Sequence, residues 1–359
     1  MEEKRLMKGN EAIAEAAIRA GCGAYFGYPI TPQNELIAYM AKNMLDKGRV
    51  FIQAESETAA INMVYGASAA GARAMTSSSS PGVSLKQEGI SYAAGADIPL
   101  VLVNVVRGGP GLGSIAPSQA DYFQSTRGGG HGDYYCIVLA PKSVQECADL
   151  TYLAFDLADE YRVPVIVLAD GMLGQMMEGV VLPPARETTP PREWAVGKMA
   201  EQARTTARHI TSIDLVPENL EARTKARFVR YEAIKSAETR YESLDTEGAA
   251  LTLVAYGTSA RVALGAKKLA EEAGVKVGLF RPITLWPFPY KEIAEIAAAG
   301  KPFLVVEMSM GQFVEDVKLS LLEGEAGAAR SPVHLLGHSG GVIPTEEEVF
   351  AAVQRILGI

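Results

Sequence analysis

Several stretches of this 359-residue chain hold side chains whose types and spacing could do chemistry. Residues 27–32 read GYPITP and follow the apolar run AYF. Pro29 and Pro32 fix two backbone torsions and bias the residues before them away from helix, which sets Thr31 on a stiff, extended platform. A hydroxyl held in that way can donate to a substrate oxygen. The same letters also read as a helix start, with Thr31 as cap and Pro32 at the first helical position, and the two roles are compatible. In QAESETAAINMVYGA, Glu55 and Glu57 come just after the run VFIQA. The turns that follow Glu57 are apolar enough to be buried, so its carboxyl is carried into a low-dielectric setting where it can hold or share a proton with a ligand nitrogen. The alternative is a first-turn acid that only complements the helix dipole.

The stretch TSSSSPG, residues 76–82, offers hydroxyls and backbone N–H groups at a helix start, fit to cradle an anion or a heterocycle or to serve simply as a loop. In VNVVRGGPGLG, residues 103–113, Arg107 leaves a strongly hydrophobic run straight into a glycine-rich turn. An arginine there needs a buried or ligand carboxylate. In GGGHGD, residues 128–133, the glycines let backbone approach something closely, and His131 reads either as a loop histidine satisfied by backbone or as a site residue.

One hydroxyl, one carboxylate and one arginine on successive loops do not make a complete catalytic set. There is no nucleophile–base pair, and the glycines match neither GxGxxG nor GxxxxGK[ST], so a nicotinamide-dependent dehydrogenase finds no support. Cys22, Cys136 and Cys147 are too few and too widely spaced for a disulfide framework, a zinc knuckle or an iron–sulfur ligand set. His334 and His338, flanked by Gly337 and Gly340, read as a loop pair rather than as metal ligands. A net charge of -8 with no clustered Lys/Arg face argues against a nucleic-acid partner and disfavours docking of an acidic protein. No apolar run has spanning length and the N-terminus has no apolar signal region, so no membrane partner and a cytoplasmic location are expected.

The elements that must position these residues alternate from residue 10 to about 182. A helix with apolar positions 12, 13, 16, 17 and 20, an Asn10 cap and a Gly21 stop leads into AYFGY, a helix near 33–45, VFIQA, a helix from about 57 to 70, ARAMTS, a helix near 81–95, PLVLVNVV, CIVLA and PVIVLAD. The strands are near-continuous apolar runs, as in a doubly wound parallel α/β sheet covered on both faces. Residues 183–247, beginning PPARETTPPREW and ending in an expected helix, KARFVRYEAIKSAETRYES, read as a connecting excursion on the surface. A second α/β domain over 248–359 starts at ALTLVAYGTSA and closes on a helix capped by Thr345. In open parallel sheets ligands bind outside the carboxyl ends of the strands, where all the singled-out loops leave.

The stretches LMKGNEAIAEAAIRAGCGAYFGYPITPQNEL, FIQAESETAAINMVYGASAAGARAMTSSSSPGVSLKQEGISYAAG, PLVLVNVVRGGPGLGSIAPSQADYFQSTRGGGHGD and VIVLADGMLGQMME together resemble the α subunit of 2-oxoacid:ferredoxin oxidoreductases, most closely the branched-chain type acting on 3-methyl-2-oxobutanoate. LTLVAYGTSARVA, LFRPITLWPFP and VVEMSMGQFVEDV extend the resemblance through a second domain similar to the transketolase C-terminal domain. The resemblance implies that residues 1–182 form a pyrimidine-binding thiamine-enzyme domain. It implies oxidative decarboxylation of a 2-oxoacid on thiamine diphosphate, with release of an acyl-CoA and reduction of ferredoxin. The diphosphate and Mg²⁺ would be held by a β subunit, and the iron–sulfur clusters by that subunit and a small ferredoxin-like one, with a γ subunit completing the assembly. Carried over residue by residue, Glu57 would hydrogen-bond the aminopyrimidine ring and favour the tautomer that deprotonates the thiazolium carbon. Thr31 would contact the substrate carbonyl or carboxylate, Arg107 would grip the substrate carboxylate, and Tyr28, Pro29 and Ser79 would join Glu57 against the cofactor. Glu55 would help at most. Members acting on 2-oxoglutarate would need a further basic residue, whereas Gly108, Gly109 and Ser114 leave room for an apolar side chain. The remaining alternatives are a 2-oxoglutarate enzyme and a non-catalytic scaffold subunit of the same fold.

Overall fold

The structure is a computed structural model that describes residues 4–186, 192–196, 208–322 and 331–359; part of the Pro- and Thr-rich connection, residues 187–191, lies outside it. The first half runs β1 (Lys4–Lys8), α1 (Gly9–Arg19), β2 (Ala24–Gly27), α2 (Asn34–Met44), β3 (Val50–Gln53), α3 (Glu57–Ala69), β4 (Ala74–Ser78), α4 (Ser80–Gly95) and β5 (Leu100–Val106). It continues through α5 (Tyr122–Thr126), β6 (Ile137–Leu139), α6 (Val144–Tyr161), β7 (Pro164–Asp170), α7 (Gly171–Gln175) and β8 (Met177–Val181). The apolar runs of β5 and β7 are buried at every position because helices cover both faces, as a parallel sheet requires. β8 turns back to pair antiparallel with β1.

The second half holds a 22-residue helix, Pro217–Glu238, then β9 (Tyr241–Leu244), β10 (Leu251–Val254), β11 (Val277–Pro282), β12 (Thr284–Trp286), β13 (Phe303–Glu307) and β14 (Val333–Gly337). Its five-stranded sheet has the order β14-β13-β10-β11-β9, with β9 antiparallel at the edge. β12 leaves that sheet and pairs antiparallel with β6, so the seven-stranded sheet reads β12-β6-β7-β5-β4-β2-β3. The long helix is docked rather than free. Its Tyr231 ring meets Tyr135 and Trp286 edge-on at 5.5 and 5.4 Å, and Arg227 and Arg230 both reach Asp97.

Two local readings need correction. Asn10 is not a cap. The N-terminal position of α1 is Lys8, and Asn10 is buried inside the helix, its amide donating to the Pro32 carbonyl at 2.8 Å and so tying α1 to the GYPITP loop. The expected helix that ends in RYES stops at Glu238, and Tyr241–Leu244 become an edge strand because β11 offers them a hydrogen-bonding partner that local sequence does not reveal. Thr345 does cap the last helix, accepting from Glu348 N at 3.1 Å.

Candidate functional site

In the order β5-β4-β2-β3 the strands carrying the singled-out loops are immediate neighbours, so those loops share the carboxyl edge of the sheet. After β3, the Ser56 side chain accepts from Ala59 N at 3.1 Å and starts α3. That cap puts Glu57 in the first turn, 7% exposed, while Glu55, two residues earlier, stays in solvent.

After β4, Ser79 occupies the N-terminal cap position of α4, yet its hydroxyl makes no capping bond. Serine is favoured at such positions because it satisfies a free N–H of the first turn. Here both Ser78 Oγ and Ser79 Oγ are buried without a partner. Leaving a buried hydroxyl unpaired is costly, so such groups point to a missing ligand. Gly82 lets these groups approach: a Cβ at that position would lie 2.2 Å from Ser78 Oγ and 2.7 Å from Glu57 Oε1, so both polar atoms pack against the glycine as no larger residue would allow. Ser80, at φ +23°, makes the sharp exit from the strand; its N–H donates to Asn104 Oδ1 at 3.1 Å and its hydroxyl accepts from Arg107 N at 3.1 Å. Asn104 donates in turn to Asp121 at 2.8 Å. Burial pushes that carboxyl up, with the Ser80 and Asn104 hydrogen bonds opposing.

After β5, Arg107 is 7% exposed. The expected carboxylate partner is absent among the described residues. Instead one terminal nitrogen donates to the Thr31 carbonyl at 2.9 Å, the other to the Leu112 carbonyl at 3.0 Å, and Nε is buried without a partner. Arg107 therefore laces the two loops together and keeps one donor in reserve. Thr31 is half-buried and is not the cap of α2, whose N-terminal position is Gln33; its hydroxyl accepts from Asn34 Nδ2 at 3.3 Å. The Thr31–Pro32 bond is cis. Gln33 is anchored below. Ser77 Oγ donates to Gln33 Oε1 at 2.6 Å and lies 2.6 Å from the Tyr25 hydroxyl, and Gln33 Nε2 donates to the Tyr28 carbonyl at 3.3 Å. Tyr28 and Pro29 are exposed at the mouth of the same edge.

Some singled-out residues lie elsewhere. His131 is exposed, and the glycines before it pass over α4, where a Cβ on Gly130 would fall 2.4 Å from the Gln87 carbonyl. The close approach is to a helix, not to a ligand. His334 lies on β14 rather than in a loop, and His338 pairs with both carboxylate oxygens of Glu348, at 2.9 and 3.0 Å. Gly108 does not leave room for substrate, because a Cβ there would meet the Gly340 backbone at 2.8 Å, whereas Gly109 faces open space. The sequence reading included Ser78 and Gly82 in the TSSSSPG stretch without singling them out, and passed over Lys86. A signal was available for the last: residues 83, 86, 87 and 90 fall on one buried helical face, and one of them is a lysine.

A family model described as pyruvate flavodoxin/ferredoxin oxidoreductase, thiamine diphosphate-binding, matches residues 15–245, and pyruvate:ferredoxin oxidoreductase core domain II matches residues 249–349. The ketoisovalerate oxidoreductase subunit VorB of Methanothermobacter marburgensis is 50% identical over 99% of this chain and 98% of its own length. The chain belongs to the 2-oxoacid:ferredoxin oxidoreductase family. Within that family, the 2-oxoglutarate synthase subunit KorA of the same organism is 36% identical over the whole of both chains. A solved 2-oxoglutarate:ferredoxin oxidoreductase from Magnetococcus marinus, with 2-oxoglutarate, coenzyme A and succinyl-CoA bound, superposes with a TM-score of 0.87 at 28% identity, covering 99% of this chain and 66% of that one. As a member of the family the chain is one subunit of a multi-subunit oxidoreductase. No helix among the described residues is long and apolar enough to cross a membrane.

The residues present fit a thiamine pyrimidine ring. A buried carboxylate and the unpartnered Ser78 hydroxyl meet at Gly82, and the unpartnered Ser79 hydroxyl is next along the chain, which is a donor and acceptor set suited to a flat, nitrogen-rich heterocycle.

Proposed function

We propose that this chain is the α subunit of a thiamine diphosphate-dependent oxidoreductase that converts a branched-chain 2-oxoacid, of the 3-methyl-2-oxobutanoate kind, to its acyl-CoA while reducing ferredoxin. The reading rests on Glu57, withdrawn from solvent and brought beside the unpartnered Ser78 hydroxyl at Gly82. Thiamine diphosphate, when bound, supplies the nucleophilic carbon and the electron sink for decarboxylation. Glu57 shares a proton with the ring nitrogen that faces it. Ser79 and the exposed Tyr28 and Pro29 line the ring's entry. Arg107 turns its spare Nε donor and its charge toward the substrate carboxylate, and because it also holds the Thr31 carbonyl, it fixes the threonine hydroxyl beside that substrate. The diphosphate end and Mg²⁺ fall to a β subunit, the iron–sulfur clusters to partner chains that include a ferredoxin-like and a γ subunit.

The branched-chain preference is supported by the 50% identical relative and by the loop 108–116, which carries no Lys or Arg, leaves Gly109 facing open space and exposes Leu112 and Ile115. A second reading, a 2-oxoglutarate enzyme, is favoured by the 36% identical relative. Turnover of the assembled enzyme on a panel of 2-oxoacids decides between them. The expected result is a kcat/KM for 3-methyl-2-oxobutanoate well above that for 2-oxoglutarate, and the reverse order would overturn the substrate assignment. Glu57→Gln in the same assembly is expected to lower kcat by about 10²–10⁴-fold. A scaffold subunit would instead leave turnover intact in Glu57→Gln, Arg107→Ala and Thr31→Val alike.

A further inference from the structure

Seven cationic side chains are buried among the described residues: Arg73, Lys86, Arg107, Arg192, Arg227, Lys267 and Arg281. Five of them are neutralised by carboxylates of this chain. Arg73 and Arg192 pair with Asp159, Arg227 with Asp97, Lys267 with Asp245 and Glu271, and Arg281 with Glu146 and Glu242. Lys86 and Arg107 have no such partner, and both belong to the same sheet edge. Arg107 has its role as the substrate's counter-charge. Lys86 has none so far.

Lys86 lies one helical turn beyond Gly82 on α4 and is fully buried. Its ammonium donates to Thr76 Oγ1 at 3.1 Å and makes a long contact, 3.5 Å, with the main-chain carbonyl of Glu57. Two neutral oxygens are poor payment for burying a full charge, and burial accordingly pushes the ammonium down to about 8, with the Glu57 charge opposing. A lysine serving only to fill space there would be better replaced by leucine or methionine.

We propose that Lys86 is a positioning residue for Glu57. Its ammonium is the fixed positive charge beneath the first turn of α3 that holds the Glu57 carboxylate in place against the ligand ring, while its bond to Thr76 ties that turn to β4. The inference rests on the proposed role of Glu57 and deepens it. Lys86 touches neither substrate nor cofactor.

The test compares Lys86→Met, Lys86→Gln and Glu57→Gln in the assembled enzyme, reading kcat, KM for the 2-oxoacid, melting temperature and hydrogen exchange of peptides covering α3 and α4. Lys86→Met is expected to lower kcat by about 10–100-fold with KM little changed, and to raise the melting temperature by several degrees with α3 and α4 at least as well protected. Lys86→Gln keeps a donor for Thr76 without the charge, and is expected to lose kcat in the same way. Parent-like kcat in Lys86→Met would overturn the proposal. So would a fall in both kcat and stability that Lys86→Gln restores, since that pattern belongs to a structural hydrogen bond. Parent-like kcat in Glu57→Gln would instead overturn the reading of Glu57 itself, whatever Lys86 does.

Discussion

Two buried polar regions of this chain differ in how completely they are satisfied. At the seam between the two sheets, Gln119 donates to the Tyr256 carbonyl at 2.8 Å and accepts from Met308 N and Ser259 Oγ at 2.8 and 2.9 Å. Glu307 accepts from Phe313 N and Val314 N at 3.0 and 3.1 Å, and Asp316 accepts from Tyr122, Tyr290 and Arg127. Every one of these groups has its partners inside the chain, which is what a structural joint requires. At the carboxyl edge of β2–β5, Ser78, Ser79 and Arg107 Nε have none, and Lys86 has no carboxylate. The difference separates a region finished by folding from one finished by binding. Burial alone does not distinguish them, because both are equally dry.

Filling the unfinished region should do the most damage to activity. Gly82→Ala would put a methyl group 2.2 Å from Ser78 Oγ and 2.7 Å from Glu57 Oε1, forcing the carboxylate out of place. A misplacement on the order of 1 Å at a reacting group lowers kcat by about 10²-fold. The clash costs stability by about 1–3 kcal/mol, partly offset by the helix preference of alanine, so the assembly should remain folded. Parent-like turnover in Gly82→Ala, measured on the assembled enzyme, would show that the placing of Ser78 and Glu57 around Gly82 is not needed for a ligand and would remove the contrast.

The reverse pattern is expected at the seam. Gln119→Ala strands the Tyr256 carbonyl, the Ser259 hydroxyl and the Met308 amide together, which should cost about 3 kcal/mol of stability in chemical denaturation. Turnover of the folded enzyme should stay near the parent value. A loss of kcat without loss of stability would mean that the seam, too, takes part in catalysis.

The site edge was legible in the sequence where local rules decide the outcome. An acid after VFIQA, followed by apolar turns, puts Glu57 in a buried first turn whatever the rest of the fold does, and the near-continuous apolar runs fix β5 and β7 as covered strands. What was not legible depends on distant partners. Arg107 was expected to need a buried or ligand carboxylate, and within the chain it finds two carbonyls, one of them 76 residues away, while Nε keeps no partner. Gln119 went unremarked because its partners lie 137 to 189 residues on. Lys86 was passed over, since a lysine on an apolar face becomes informative only when the neighbouring helix is in place. Ser78 was lost among four serines, because which hydroxyl remains unpaired is decided by the turn at Ser80.

The smallest expected effect concerns how the seam responds to pH. Asp170 Oδ1 accepts from Met172 N and Leu173 N at 3.0 and 3.1 Å, capping α7, and from Thr258 Oγ1 at 2.9 Å, joining the two halves. Burial pushes its carboxyl above the ordinary Asp range, with the Thr258 hydrogen bond opposing. The folded chain therefore keeps a proton that the unfolded chain has released. The contribution of Asp170 to stability is full below the ordinary Asp range and falls as pH climbs through and above it. In Asp170→Asn the amide oxygen can keep the three Oδ1 bonds, and only the weaker 3.4 Å contact of Thr258 N with the other oxygen is lost, so the cost should be about 1 kcal/mol. Because the amide does not titrate, the stability profile of the variant should be flatter than the parent's from the ordinary Asp range upward. Denaturation midpoints of both proteins across acidic to neutral pH measure that slope. Parallel curves would mean that the seam holds Asp170 charged at no cost, and that its hydrogen bonds compensate burial more fully than those around the unpartnered serines.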